Sequence, residues 1–212
     1  SLNQMKSTII DFINQLPEYH YVNIIAFNDR HYKLFDLPKI ANQDNKLEAL
    51  KFVKNFKANF GTEMLSPIYE ALFEKSPLPL NHHIILMSDA AISYEKDTLA
   101  TVHQHLGDKK FSVVGIGSAP NSYLVKSLAK VGRGFYLFVD SSSFEKEVQN
   151  LLFKINRPVL KNLRLFLNDE HYLMPNKLPD VTVGDPINFY LLFTCDPCCS
   201  NNNSCFINRG NF

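Results

Sequence analysis

No cysteine occurs before Cys195. Four then follow close together, Cys195, Cys198, Cys199 and Cys205, so whatever folds ahead of them is not stapled by disulfides. Neither sign of charge is in excess: 22 Lys and Arg stand against 21 Asp and Glu, a net of +1. The electrostatic case for a nucleic-acid partner is therefore missing. No apolar run approaches the ~20 residues of a membrane-spanning helix. The G-x-S-x-G elbow of serine hydrolases is absent. The seven histidines make no metal-binding pattern. His103 and His105 lie two apart on a predicted helix and so point to different faces, and His82 and His83 alternate across the start of a strand.

What is left is an ordinary globular composition, 45% hydrophobic, long enough for one α/β domain and a smaller appendage. The organising stretch is His83-Ile-Ile-Leu-Met-Ser-Asp89. Its apolar run, 84–87, is short, bounded by turn formers, and reads as a strand buried on both faces of a parallel sheet. It ends on Asp89, beyond the carboxyl end of a strand, where open α/β sheets bind ligands. An aspartate there is either a cap for the following loop or part of a site.

Around that strand, helices and strands alternate. Leu2, Met5, Ile9, Ile13 and Leu16 recur at helical spacing, with Ser1 and Gln4 as a capping box and Pro17 as the stop. Residues 21–27 and 31–35 read as strands joined through Asn28-Asp29, a hairpin whose second strand is the antiparallel edge. Leu47, Leu50, Val53 and Phe56 mark a second helix, and Ser66 with Pro67 opens a third. Leu99, Val102 and Leu106 give a fourth, closed by Gly107. Residues 111–116 and 135–139 are strands. Between them lies a helix capped by Asn121 or Ser122 and closed by Gly132, and after them one opened by Ser142 and Glu145. The alternation predicts a Rossmann-like, doubly wound α/β fold over 1–156, its mostly parallel sheet covered by helices on both faces. Pro158 breaks the pattern. Residues 157–194 then read as a small β appendage with strands at 160–167 and 187–193. Residues 195–212, rich in Asn and Cys, read as an irregular tail. Cys-x-x-Cys-Cys in that tail suits zinc, disulfides or no role at all.

Gly115-Ile116-Gly117-Ser118 invites a dinucleotide-binding reading, but the third glycine position is Pro120, where close helix–strand packing needs a small residue. That leaves Thr62 and Asp89, each in a loop at the same predicted edge of the sheet. A hydroxyl and a carboxylate are hard oxygen ligands suited to Mg²⁺ or Mn²⁺.

The order of elements resembles the von Willebrand factor A domain. Phe60-Gly61-Thr62-Glu63-Met64 is similar to that family's Gly-Gly-Thr loop, and Leu86-Met87-Ser88-Asp89 to its strand ending in Thr-Asp-Gly. Residues 111–140, with Val-Gly-Ile-Gly-Ser-Ala-Pro-Asn and Gly-Arg-Gly-Phe-Tyr, resemble the A domain of proteins that pair a VIT domain with an A domain, such as inter-alpha-trypsin inhibitor heavy chains. The resemblance extends through Leu178-Pro179-Asp180-Val181 and covers about residues 1–194. It implies a non-enzymatic, protein-binding or adhesion module at a cell surface or outside the cell. It also implies a metal-ion-dependent adhesion site built from Asp-x-Ser-x-Ser, a threonine and an aspartate, which takes a partner's carboxylate on a divalent ion. Thr62 and Asp89 match the last two. The resemblance places a first strand inside the sheet, between residues 21–27 and 83–87, and Asp-x-Ser-x-Ser after it, ahead of the first helix. The expectation is thus an N-terminally truncated domain, marginal in stability, that binds Mg²⁺ or Mn²⁺ weakly or not at all. Ala90 in place of glycine and Phe60 in place of the first loop glycine point the same way. The alternatives are a metal-free scaffold, a nonfunctional fragment of a truncated gene, and a nucleotide-dependent α/β enzyme.

Overall fold

The computed structural model describes residues 2–57, 63–76, 78, 80–88, 94–117, 119–139, 150, 153, 155, 159–160, 163, 171–174, 181–182 and 190–193. The chain divides into two compact units, Ser1–Ile155 and Asn156–Phe212.

The first unit opens with α1 (Leu2–Gln15). Its apolar residues recur every three to four positions, which makes one continuous stripe. The segment 21–27, expected as one strand, is two: β1 (Tyr21–Val22) and β2 (Ile25–Phe27). Asn23 divides them. Its Oδ1 accepts from the Ile24 and Phe35 amides, and its Nδ2 donates to the Phe35 carbonyl and Glu74. A side chain thus does locally what a ladder partner would do. β3 (His31–Lys33) pairs antiparallel with β2 as the sequence predicts, and Asn28 closes the turn by accepting from the Arg30 amide. β1 pairs antiparallel with β4 (Lys39–Ile40), a strand too short and too exposed to show in the sequence.

α2 (Gln43–Asn55) begins earlier than its apolar pattern suggests, because Asn42 caps it through the Asn45 amide. Its buried face is Lys46, Ala49 and Val53, and the expected face residue Leu47 is 53% exposed. Lys46 reaches the Asn14 carbonyl at the end of α1, which turns the helix away from Leu47. α3 (Leu65–Phe73) is not capped by Ser66. The Glu63 carboxylate accepts from the Leu65 and Ser66 amides instead, and the Ser66 hydroxyl meets His31 Nδ1 at 3.0 Å.

The core sheet follows. β5 (His83–Ser88), β6 (Lys110–Ile116) and β7 (Arg133–Val139) are parallel, in the order β5-β6-β7. They alternate with α4 (Glu95–His105) and α5 (Ser122–Val131), the latter capped by Asn121 Oδ1 on the Leu124 amide. The strand residues alternate strictly between two apolar layers. Ile84, Leu86, Phe111 and Val113 join Met64, Ile68 and Leu72 of α3 on one face. Ile85, Met87, Val114 and Ile116 join Met5 and Phe12 of α1 on the other. This is a Rossmann-like α/β fold with helices on both faces.

The β2–β3 hairpin is not the edge of that sheet. Among the described residues no ladder joins β2 to β5, and β5 ends the three-stranded order. Helices bridge the two instead. α1 packs Ile9 and Ile13 with Ile24 in a third cluster while giving Met5 and Phe12 to β5. On the opposite face Phe27 and Ile84 share the α3 layer. The hairpin and β5 thus share helical layers, with no ladder between β2 and β5 among the described residues.

In the second unit β8 (Val159–Leu160) pairs with β10 (Val181–Thr182), and β9 (His171–Met174) with β11 (Tyr190–Phe193), both antiparallel. The span between the two predicted strands of the appendage, expected as a loop, thus holds β9 and β10. His-Tyr-Leu-Met has the β-branched-poor but aromatic composition that period-2 counting passes over in so short a run. The helix expected after Ser142 and Glu145, the Ser1–Gln4 capping box and the cysteine-rich tail lie wholly or largely outside the described residues.

Candidate functional site

Parallel strands direct their carboxyl ends to one edge, and here that edge is Ser88, Ile116 and Val139. α4 and α5 start from the same edge, because each follows a strand through a short loop. Their N-termini carry partial positive charge, and Glu95 and Asp97 lie in the first turn of α4. Asn121 Nδ2 donates to Glu95 Oε1 at 2.5 Å, which clamps the two helix starts together. Gly117, at φ 119°, takes the chain out of β6 in a conformation open to glycine. Gly115 and Ile116 are thus the end of β6, and the chain turns from it at Gly117.

Thr62 and Asp89 themselves lie outside the described residues, as do Ala90 and the four cysteines. Their chain neighbours are described. Ser88, buried, is the last residue of β5 and pairs in register with Gly115. Glu63 donates its amide to the Asn28 carbonyl at 2.6 Å, just past β2. Among the described residues no three His, Cys, Asp or Glu side chains converge as a metal site, and no helix is long and apolar enough to cross a membrane.

The opposite, amino edge of the sheet is chemically richer than the sequence suggests. Lys33 of β3 pairs with Glu70 at 2.8 Å and Glu74 at 3.2 Å. Burial pulls its pKa down, but the two carboxylates outweigh it and hold Lys33 above its ordinary value. His82 lies 3.9 Å from Glu74, yet burial, aided by Lys109, lowers its pKa. The contact is therefore with a neutral imidazole at neutral pH. His83 is driven down to about 4 by burial, with Lys110 adding to the effect. None of this network shows as a motif, because Asn23, Lys33, Glu74 and His82 are dispersed in the chain and meet only through the tertiary fold. Of the other histidines, His105 packs on Tyr69 and Phe73, a ring contact that fits none of the metal patterns sought in the sequence.

Comparison with known proteins gives this arrangement its place. Over residues 1–138 the chain matches the family model of the von Willebrand factor type A domain. It is 28% identical over 167 residues to a von Willebrand factor A domain-containing protein of Dictyostelium discoideum, covering 78% of this chain and 18% of that protein. Among solved structures, a von Willebrand factor type A protein from Catenulispora acidiphila superposes with a TM-score of 0.62 at 16% identity, covering 71% of this chain and 37% of that one. Proximal thread matrix protein 1 from the mussel byssus, solved with a zinc-occupied MIDAS motif, gives 0.53 at 12% identity, covering 71% and 39%. The chain spans about a fifth of the length of the curated relatives it matches. With the model covering well over half of its residues, the chain belongs to the von Willebrand factor type A domain family.

Proposed function

We propose that this chain is a non-enzymatic protein-binding module whose ligand edge is the carboxyl end of β5-β6-β7. In this reading Thr62 and Asp89 are two ligands of the complete metal site, where a divalent ion would accept a carboxylate from a protein partner. Family membership supports an interaction or adhesion module. The observation that carries the choice of edge is the position of Asp89, one residue beyond the last ladder pair of β5.

The donor chemistry fits a hard cation, since a threonine hydroxyl and an aspartate carboxylate are oxygen ligands of the kind Mg²⁺ and Mn²⁺ take. The number does not. Two donors are too few, and no stretch of the 212 residues reads Asp-x-Ser-x-Ser. We therefore read the site as incomplete within these residues. The zinc in the mussel relative's MIDAS motif supports a metal at the complete site. The finer kinship with VIT-and-A-domain proteins, and a cell-surface or extracellular setting, rest on the resemblance of residues 111–140 and 178–181.

Calorimetric titration of MgCl₂ and MnCl₂ into the 212-residue chain tests this. The expected heats match those of Asp89→Ala and Thr62→Ala. Saturable binding abolished by both substitutions would overturn the incompleteness and keep the site. Saturable binding that survives both would overturn the two residues as ligands.

A further inference from the structure

The core sheet carries an irregularity where its chemistry is most buried. Pairing between β6 and β7 runs Phe111 to Arg133 and then Val113 to Tyr136. Ser112 therefore faces two residues, Gly134 and Phe135, which is a β-bulge on β7. A bulge leaves a backbone amide without its ladder acceptor. Here Ser112 Oγ takes that role and accepts from the Phe135 N–H at 3.0 Å. The same oxygen lies 2.7 Å from His83 Nε2, on β5. Ser112 is fully buried. One hydroxyl thus links all three strands, β7 to β6 to β5.

The protons can be assigned from the satisfaction rule for buried polar groups. The Phe135 amide can only donate, so Ser112 Oγ accepts. The hydroxyl proton then needs an acceptor, and among the described residues His83 Nε2 is the one in reach. That makes His83 neutral, with its proton on Nδ1. The ring also meets Phe135 edge-on at 5.5 Å between centroids, so its position is fixed by packing as well as by the hydrogen bond. Met5 and Phe12 of α1 and Phe135 and Leu137 of β7 belong to the apolar layer on this face. The charged group acting on the ring is Lys110 of β6, and it opposes a second positive charge.

We propose that His83, Ser112 and the bulged amide of Phe135 form an acid-sensitive latch across the three-stranded sheet. Protonating Nε2 reverses the chain of donors. The imidazolium then points an N–H at Ser112 Oγ, and the hydroxyl proton loses its acceptor among the described residues. Burial already favours the neutral ring, with a folded-state pKa of about 4 against 6.5. A depressed histidine pKa means that the unfolded state binds more protons between those values. The stabilising effect is complete above pH 6.5 and is lost as pH falls toward 4. From this group alone the folding equilibrium constant drops about 30-fold between pH 8 and pH 5.

The test combines ring NMR with urea unfolding of the full chain at both pH values. Nitrogen shifts of the wild-type ring should show an unprotonated Nε2 and a protonated Nδ1 at pH 7. His83→Gln keeps an acceptor for the hydroxyl and cannot titrate, so its loss of stability between pH 8 and pH 5 should be smaller by that about 30-fold factor. In Ser112→Ala, His83 stays buried but loses its donor, and its single tautomer should give way to a mixture. Three results would each overturn the latch: an Nε2–H tautomer in the wild type, equal pH dependence in wild type and His83→Gln, or an unchanged tautomer in Ser112→Ala. The last would mean that burial, not the hydroxyl, fixes the ring.

Discussion

The resemblance places one further strand between β2 and β5, and that expected slot makes a strong claim about stability. The perturbation is to fuse ahead of Ser1 an extended segment that is apolar on both faces, followed by Asp-x-Ser-x-Ser. β5 has six residues, so the segment should be of similar length. Ordering about six residues costs about 9 kcal/mol at ~1.5 kcal/mol each. Laddering to both edges makes about six hydrogen bonds at ~1 kcal/mol net. About four apolar side chains seated between the α1 and α3 layers contribute ~2 kcal/mol apiece. The balance favours the filled slot by about 5 kcal/mol, a large share of the about 5–15 kcal/mol that holds a domain together. For a unit of this size that is a rise in Tm of about 10–20 °C. Circular dichroism melts of the chain with and without the segment measure it. A control segment with polar residues on one face should give little of the gain. A second control that keeps the apolar strand but changes the motif's Asp to Ala should keep the melting temperature and lose magnesium binding. A shift below about 3 °C with the apolar strand would refute the slot as a strand site, since the ladder and burial contributions would then have no place to form.

Two further outcomes follow from close approaches and caps. Gly134→Ala should destabilise by about 3 kcal/mol in urea unfolding, because its Cβ would strike the Phe111 carbonyl and Ser112 Oγ. Gly107→Ala has open space and only its φ of 57° against it, so it should cost about 1 kcal/mol, and equal effects would refute the steric reading of the bulge. Asn121→Ala removes both the α5 cap and the bond to Glu95. It should cost about 1–2 kcal/mol, and loss of amide protection at Leu124 by hydrogen exchange should accompany it.

What the sequence made legible was whatever a single element encodes by itself. The run 84–87 is apolar because both its faces are covered, and Ile84 and Leu86 do part from Ile85 and Met87 into separate layers. α5 shows its cap, its stripe and its closing glycine within a dozen residues. Legibility failed where a side chain from elsewhere decides the outcome. Lys46 is buried against the end of α1 and so displaces Leu47, and no count of apolar residues in α2 contains that fact. Asn23 splits a seven-residue β pattern because Glu74 and Phe35 reach it from other elements. The bulge opposite Ser112 is invisible for the same reason. Residues 111–116 and 135–139 both read as regular strands, and the extra residue appears only when they are laid side by side. As for the site, Thr62 and Asp89 came from loop position and from resemblance, and both lie outside the described residues.

The two ends of β5 divide the labour of the molecule. At its start, His83 is half-buried, neutral and tied through Ser112 to β7, while neighbouring His82 faces Glu74 and, through it, Lys33 of the hairpin. Buried polar groups this fully partnered resist rearrangement, because each lost partner costs about 1–3 kcal/mol. At its finish, Ser88 closes the ladder with Gly115, at the edge where Asn121 and Glu95 hold two helix starts together. Six residues of strand, rigid in its ladder with β6, separate the two. A ligand that the proposed site takes from the end of such a strand would inherit its position from the sheet, not from its own loop. It follows that the amino-edge network bears on where the carboxyl edge is held. It also follows that acid, acting on His83 at the far end, would loosen the strand that leads to the carboxyl edge.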